Sequence, residues 1–565
     1  MQFIDWLIVA VYMTLSLAIG VYYTRRASSS LNEYFLSGRN LPWWLAGTSM
    51  VAATFSSDTP LYVTGLVRGH GIYENWQWWC FIMSGMLSVF FFAKLWRRLG
   101  VLTDVEFIEL RYSGTAAKIL RGFKAVYFSF VIHTIIKAQV VLAMATIMDA
   151  VMGMDKWTSI IISSAIVIVY STLSGYWGVV ITDFFQFIVA MAGAVLLAVF
   201  ALDKAGGVDG LKAALPEKTL SFFPPPEQAA LMTFLGYIAL SWWSKYSSDG
   251  GGVIVQRMAS SKNERESFLA TFYFNVANYA LRTWPWVITA LASLVLYPTM
   301  TNHEGVYPRM MMDLLPAGLK GLMLASLFAA FMSTLSTYLN LSSSYFVNDL
   351  YRPYLKRGAT DKHYLAVSRL MTLLLSAVTA VVTFQVSSIV GVFMFLIAFG
   401  SGTGLVYILR WFWWRVNAWS EISAMIASTL FTLIAYKHPA FAGSPYYAKL
   451  AFIIASSTAV WLLVTFLTRP VPIEKLRDFY LKTTPGKIGW RPVLAHLSSN
   501  GVSIESGFRS ALARWIAGCV FLTGLTLGSG KILLGFFYSG IIWLMISAIS
   551  GYMLWKWISE KEILE

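Results

Sequence analysis

Cysteine is almost missing from this chain: Cys80 and Cys519 are the only two in 565 residues, and both fall in apolar stretches. That excludes a disulfide framework and a cysteine-built metal site. Charge is scarce too, at 13% of residues, about half the share usual in a soluble domain. No nucleophile, base and oxyanion pattern stands out, so an enzyme is not expected. A cleavable leader is not evident either. The first apolar run, Phe3 to Tyr23, is too long for a leader's core and has no basic residues before it, so it reads as a retained helix. What fills the chain instead is hydrophobic surface: 57% of residues are apolar and the mean hydropathy is +0.63. This is the composition of a multi-pass membrane protein.

At roughly 20 apolar residues per crossing, the hydropathy predicts an all-α integral membrane protein of about 15 spans. The net charge of +15 would suit a nucleic-acid binder, but its distribution follows topology. With the N-terminus outside, the inner loops and helix ends carry 29 of the 43 Lys and Arg residues, and the outer ones carry 10. That positive-inside bias predicts a plasma or inner membrane location, the N-terminus outside and the C-terminus in the cytoplasm, with no nucleic-acid partner.

The spans fall into groups. Residues 1–41 hold an extra helix and linker, and 42–202 hold five spans, among them 157–176 and 178–202. An outer loop, 203–228, contains Gly206, Gly207, Gly210 and Pro224-Pro225-Pro226. Five more spans occupy 229–410, two accessory helices 411–468, a proline-bearing cytoplasmic loop 469–509, and two final helices 510–565. Five is odd, so the second set of five must be inserted upside down relative to the first. Such a 5+5 inverted repeat is a transporter architecture with its site near the midplane.

The first helix of each repeat is expected to be broken. In the first, Ser56-Ser-Asp-Thr-Pro60 interrupts an apolar run. Proline removes a helix hydrogen bond and pushes its predecessor out of the helical region, which frees carbonyls near Ala52 and Phe55. In the second, Trp242-Trp-Ser-Lys-Tyr-Ser-Ser-Asp-Gly-Gly-Gly252 ends in three poor helix formers. The span containing Ala325 to Asn340 carries hydroxyls at Ser333, Thr334, Ser336 and Thr337. Helical spacing makes Ser333, Ser336 and Thr337 one ridge, with Thr334 beside it. Two readings are open: hard oxygen ligands for a dehydrated sodium ion, or close packing by small residues.

Charges within spans need partners or a pathway. Asp183 is a cation ligand, a partner of the hydroxyl ridge, or a carboxylate at a helix end. Asp58 and Asp249 lie in the two breaks with Lys245 one turn from Asp249; they pair among themselves or meet a polar solute together with Ser56 and Thr59. Lys137 has no local partner and suits an anion or a distant carboxylate. Arg282 and His133 are left as packing residues. Asn75, Trp76, Gln77, Trp78 and Trp79 open the third span beside the first break, either as an interfacial belt or as a wall for a polyol or ring.

Taken in order, several motifs resemble those of the sodium:solute symporters. They are Tyr34-Phe-Leu-Ser-Gly-Arg39, Pro42-Trp-Trp44, Ser49-Met-Val-Ala-Ala53, Thr182-Asp183, Gln256-Arg257 and Asn348-Asp349-Leu350-Tyr351, spread over residues 5–470. The resemblance implies a leucine-transporter-type fold. It also implies a principal sodium site of the Ala52, Phe55 and Ala330 carbonyls with the Ser333 and Thr334 hydroxyls. A second sodium site, known in some members, would match Asp183, Ser333, Ser336 and Thr337, so one or two Na+ are expected. Solute positions depart from the family's sugar carriers. Asp58-Thr59-Pro60 replaces an acidic residue followed by glutamine, and Asp249-Gly-Gly-Gly252 replaces an aromatic and an Asn-Gln pair, so a glucose or galactose assignment does not carry over. Lys137 falls near an anion-binding arginine of some members. The expected function is sodium-coupled import of a small polar organic solute by alternating access, with no oligomer required. The alternatives are proton coupling on the same fold, or a membrane sensor or channel.

Overall fold

The computed structural model describes residues 1–27, 31–498 and 508–559. Its described residues form helices joined by loops, with a single isolated bridge between Leu41 and Ser261 and no strand among them. This suits a chain in lipid, where a helix satisfies every backbone polar group internally. Ten described helices are long and apolar enough to cross a membrane, and eleven if Ile389–Gly400 and Gly404–Phe412, bent by 43°, form one span. The expected count of fifteen is therefore not reached by helix length and composition. The four expected spans outside that count are the two broken helices and the first and fifth spans, the latter pair represented in that measure only by Phe3–Ile19 and Lys156–Ile168.

The first break falls between Trp43–Thr54 and Asp58–His70. Phe55 leaves the helical region at φ −94°, ψ 94°, and its N–H closes the first half onto Val51 and Ala52. The N–H of Ser56 then turns to the Thr59 hydroxyl, at 3.3 Å, rather than back to the first half. Pro60 sits in the first turn of the second half, where its missing N–H costs least. The second break follows Trp242–Ser244, and the helix resumes at Gly252–Ser260. Gly250 and Gly251 adopt φ +111° and +62° there, and a Cβ on Gly251 would sit 2.3 Å from the Ser247 Cβ. Only glycine fits that turn.

Helical backbone runs from Lys156 to Lys204 without interruption, where the sequence predicts two spans. A straight rod of that length would be about 73 Å, far beyond a bilayer. Its contacts show two opposed arms instead. Lys156 donates to the Val386 carbonyl at one face of the bundle, while Trp177 donates to Glu33 at the other. The chain beyond Lys204 is back at the first face, where Thr219 packs on Gly71.

At the centre stands Leu319–Leu355, whose most apolar window is 89% buried. Its serines stay compatible with a helix because several return their hydroxyls to their own backbone: Ser326 to Met323, Ser336 to Ser333, and Ser343 to Asn340. At the face bearing Glu33, two charge clusters tie the helix ends together. Arg121 bridges Glu109 and Asp349, and Arg410 lies between Asp249 and Glu421, with Lys124 3.5 Å from Glu421. The final helices, Phe508–Leu533 and Phe537–Ser559, form a hairpin locked by close approach at Gly524 and Gly528, and the Trp515 indole fastens it to the Met83 carbonyl.

Candidate functional site

The hydroxyl ridge lies between the first break and the Tyr176–Lys204 arm. Thr334 donates to the carbonyl of Ala53 at 3.1 Å, placing its oxygen at the end of the Trp43–Thr54 half-helix, between Ala52 and Phe55. Ala330 lies one turn earlier on the same buried helix. Carbonyl and hydroxyl oxygens so grouped are hard, neutral ligands, the kind a dehydrated alkali cation takes.

Ser333 faces a different neighbour. Its hydroxyl donates to Asp183 Oδ1 at 2.5 Å, and Ser49 donates to the other carboxylate oxygen at 2.5 Å. Arg257 completes the group, 3.5 Å from Asp183 and donating to Ser49 and Thr337 at 3.2 and 3.0 Å. All five side chains are buried. Asp183 therefore lies inside the bundle as partner of both the ridge and an arginine, and not at a helix end. Of the residues matched to a second cation site, Asp183 and Ser333 touch directly, Thr337 joins through Arg257, and Ser336 is committed to its own helix.

A cavity of about 320 Å³ adjoins Thr334 and both breaks. Ser56, Asp58, Thr59 and Lys245 line it, as the sequence suggested. Gln139 donates to Asp58 Oδ2 at 2.7 Å, while Asp58 Oδ1 and the Ser56 hydroxyl have no partner among the described residues. Lys245 holds its ammonium 4.2 Å over the Phe81 ring. Five expected residues do not line this cavity. Asp249 is paired not with Lys245 but with Arg410, at 2.5 Å, and accepts from the Trp411 indole. Lys137 is fully buried with no hydrogen-bond partner among the described residues. Asn75 is spent on Ile72 and Trp78, and the Trp76 indole on Phe222. Trp79 packs edge-on or tilted against Trp76, Trp78 and Trp284.

The cavity does include Trp78 of the same aromatic cluster, together with Arg282, His133 and Tyr279, which sequence reasoning passed over or assigned to packing. Arg282 reaches the Val51 carbonyl and the Thr54 hydroxyl, at 3.3 and 3.4 Å, and so braces the break from the opposite side. Its place inside a span was the available signal. Arg257 was visible only as half of a motif, with nothing to connect it to Asp183. The motif residue Tyr34 has a side chain outside the described residues.

Two interrupted helices, a polar cavity beside them and a buried oxygen cluster define a helical secondary transporter. The chain belongs to the sodium:solute symporter family, whose sequence profile matches residues 34–428. It is similar to the sodium/glucose cotransporter of Vibrio parahaemolyticus, 24% identical over 474 residues that cover 77% of this chain and 85% of that one. It is also similar to the sodium/mannose cotransporter of Bos taurus, 27% identical over 491 residues covering 77% and 80%. Its fold is shared with a solved Na+-coupled sialic acid symporter at a TM-score of 0.68, with 21% identity over 83% of this chain and 99% of that one. The protein is thus a sodium-dependent multi-pass transporter and not an enzyme.

Proposed function

We propose that the protein imports a small polar organic solute with sodium by alternating access, using Ala52, Phe55, Ala330, Ser333 and Thr334 as its principal sodium ligands. The observation that carries this reading is the Thr334 hydroxyl on the Ala53 carbonyl, at the seam between the broken helix and the central one. An ion there would fix the two helices to each other and shape the adjoining cavity. Sodium and solute then favour the same arrangement, so each raises the affinity for the other. Asp183, Ser333, Ser336 and Thr337 form a second, weaker candidate, shared with Arg257.

In this reading 42–202 and 229–410 are the inverted repeats, and the positive-inside bias sets the N-terminus outside and the C-terminus in the cytoplasm. The solute sits against Ser56, Asp58, Thr59 and Lys245. Sugars and polyols head the candidates because relatives of this chain are named for glucose, mannose and myo-inositol. The decisive experiment is a thermal-shift screen of purified protein against sugars, polyols, amino acids and organic acids, each with and without sodium. Hits are then tested for sodium-driven uptake into vesicles. At least one compound should stabilise the protein only when sodium is present; the absence of any such compound would overturn the reading.

A further inference from the structure

The transport cavity has more positive than negative charge in its lining. His133 spends its Nδ1 on the Ser342 hydroxyl at 2.9 Å; the other charged lining residues are Asp58, Lys245 and Arg282. Arg282 is tethered to the first break through the Val51 carbonyl and the Thr54 hydroxyl, and in the charge count it offsets Asp58. Lys245 is left over. The backbone leaves the Trp242–Ser244 helix at this residue, with φ −63° and ψ 153°, so the lysine stands at the start of the second break. Its ammonium lies 4.2 Å over the Phe81 ring and makes no hydrogen bond and no ion pair to any described residue. Asp249, four positions on, is bound to Arg410 and the Trp411 indole, and one oxygen of Asp58 accepts from Gln139.

An aromatic face attracts an ammonium by about 0.5–2 kcal/mol and does not neutralise it. A charge enclosed among membrane helices is costly unless it is paired, and such charges mark solute pathways. The space open to Lys245 is the cavity itself, whose 320 Å³ suits a small solute. The rest of the lining suits a hydroxylated ring. Ser84, Ser88, Gln139 and Asn278 bring hydroxyls and amides, while Trp78 and Tyr279, stacked at 5.8 Å, bring flat apolar faces. Resting on the sodium-coupled reading, we propose that the solute is a polyhydroxy acid, sugar-like and bearing one carboxylate, and that Lys245 receives that carboxylate. The bound acid brings the charge of the lining to zero. A neutral sugar of the same outline leaves the ammonium enclosed without a counter-ion, which is how the site rejects it. The solute's charge also offsets that of one sodium ion in transit, so net charge moves only when the cycle carries sodium in excess of solute.

The test is a thermal-shift titration of the purified full-length protein, with and without sodium, using matched compounds. Glucuronate is set against its methyl ester and glucose, and gluconate against sorbitol. With sodium present, at least one acid should stabilise the protein at a concentration about tenfold or more below that of its neutral counterpart, the scale of one hydrogen bond to a charged group. Lys245→Gln should abolish that preference, so that acid and ester act alike, while Lys137→Met should keep it. Should Lys245→Gln fail to fold, the wild-type comparison of glucuronate with its methyl ester decides, since the ester keeps the hydroxyls and removes the charge. An ester or sugar that acts as well as the acid, a preference that survives Lys245→Gln, or sodium-dependent shifts from neutral sugars, polyols or amino acids but from no acid would overturn this assignment and leave sodium-coupled transport standing. No sodium-dependent shift from any compound would overturn both.

Discussion

Replacing Thr334 by alanine tests the proposed sodium site most directly, because the structure fixes what is lost in each state. With the ion bound, the site loses one oxygen ligand, equivalent to a hydrogen bond to a charged group, about 1.5–3 kcal/mol. Without the ion, the same hydroxyl bonds the Ala53 carbonyl at 3.1 Å, a neutral bond worth about 0.5–1.5 kcal/mol. The difference, about 1–1.5 kcal/mol, is what sodium binding feels, and it corresponds to an increase of about 5- to 15-fold in the half-saturating sodium concentration. The assay is uptake of a stabilising solute into vesicles over a range of sodium concentrations, with the maximal rate largely retained. Ser333→Ala should also raise the sodium requirement, and it should flatten the activation curve if two ions bind, since its hydroxyl is shared with Asp183. Ser336→Ala is the internal control, because that hydroxyl returns to its own helix, and it should stay within about twofold of wild type. A Thr334→Ala curve that overlays the wild type would refute the site.

Three further substitutions probe the frame around that site. Arg410→Met removes the guanidinium between Asp249 and Glu421, and should destabilise by about 3–5 kcal/mol in thermal or chemical unfolding. Adding Asp249→Asn should recover part of the loss, and an unchanged melting temperature in the single variant contradicts the pairing. Gly404→Ala would place a Cβ 2.2–2.3 Å from the Trp243 and Ser244 backbone, so little folded protein should survive size-exclusion chromatography; a normal yield and elution profile would show that the two helices can separate. Lys137→Met keeps volume and removes a buried ammonium with no described partner, so the melting temperature should hold or rise. A fall would mean that the ammonium is paired.

What could be read from the chain before its structure was known divides along physical lines. Local signals came through: the hydroxyl ridge at 333–337, the helix break before Pro60 and the glycine turn at 250–252 all follow from residue type and helical spacing. Asp183 was recognisable as a buried charge that needed a partner. The partner was not legible, because Arg257 lies 74 positions away and only the packing of two helices brings the two together. The same holds for Asp249, which has a lysine one turn away yet pairs with Arg410 across 161 positions. Nearness in sequence was a poor guide to charge pairing wherever a break reoriented the backbone. The Asn75–Trp79 cluster was right for Trp78 and misled for Asn75, Trp76 and Trp79, because composition marks an aromatic wall without saying which of its faces meets the cavity. Lys137 shows a third limit, since a residue that lacks a partner in sequence also lacks one among the described residues.

The pairing of Asp183 with Arg257 has an electrical consequence. A guanidinium keeps its proton under all physiological conditions, so the carboxylate is already neutralised before any ion arrives. The proposed principal ligands are carbonyls and hydroxyls and carry no charge of their own. Each sodium ion that enters therefore brings a positive charge that the protein does not cancel, and moving it inward carries current. At about 2.3 kcal/mol per charge for each 100 mV, the resting voltage becomes a driving force alongside the concentration gradient. Uptake should therefore slow on depolarisation even when sodium on both sides is held constant.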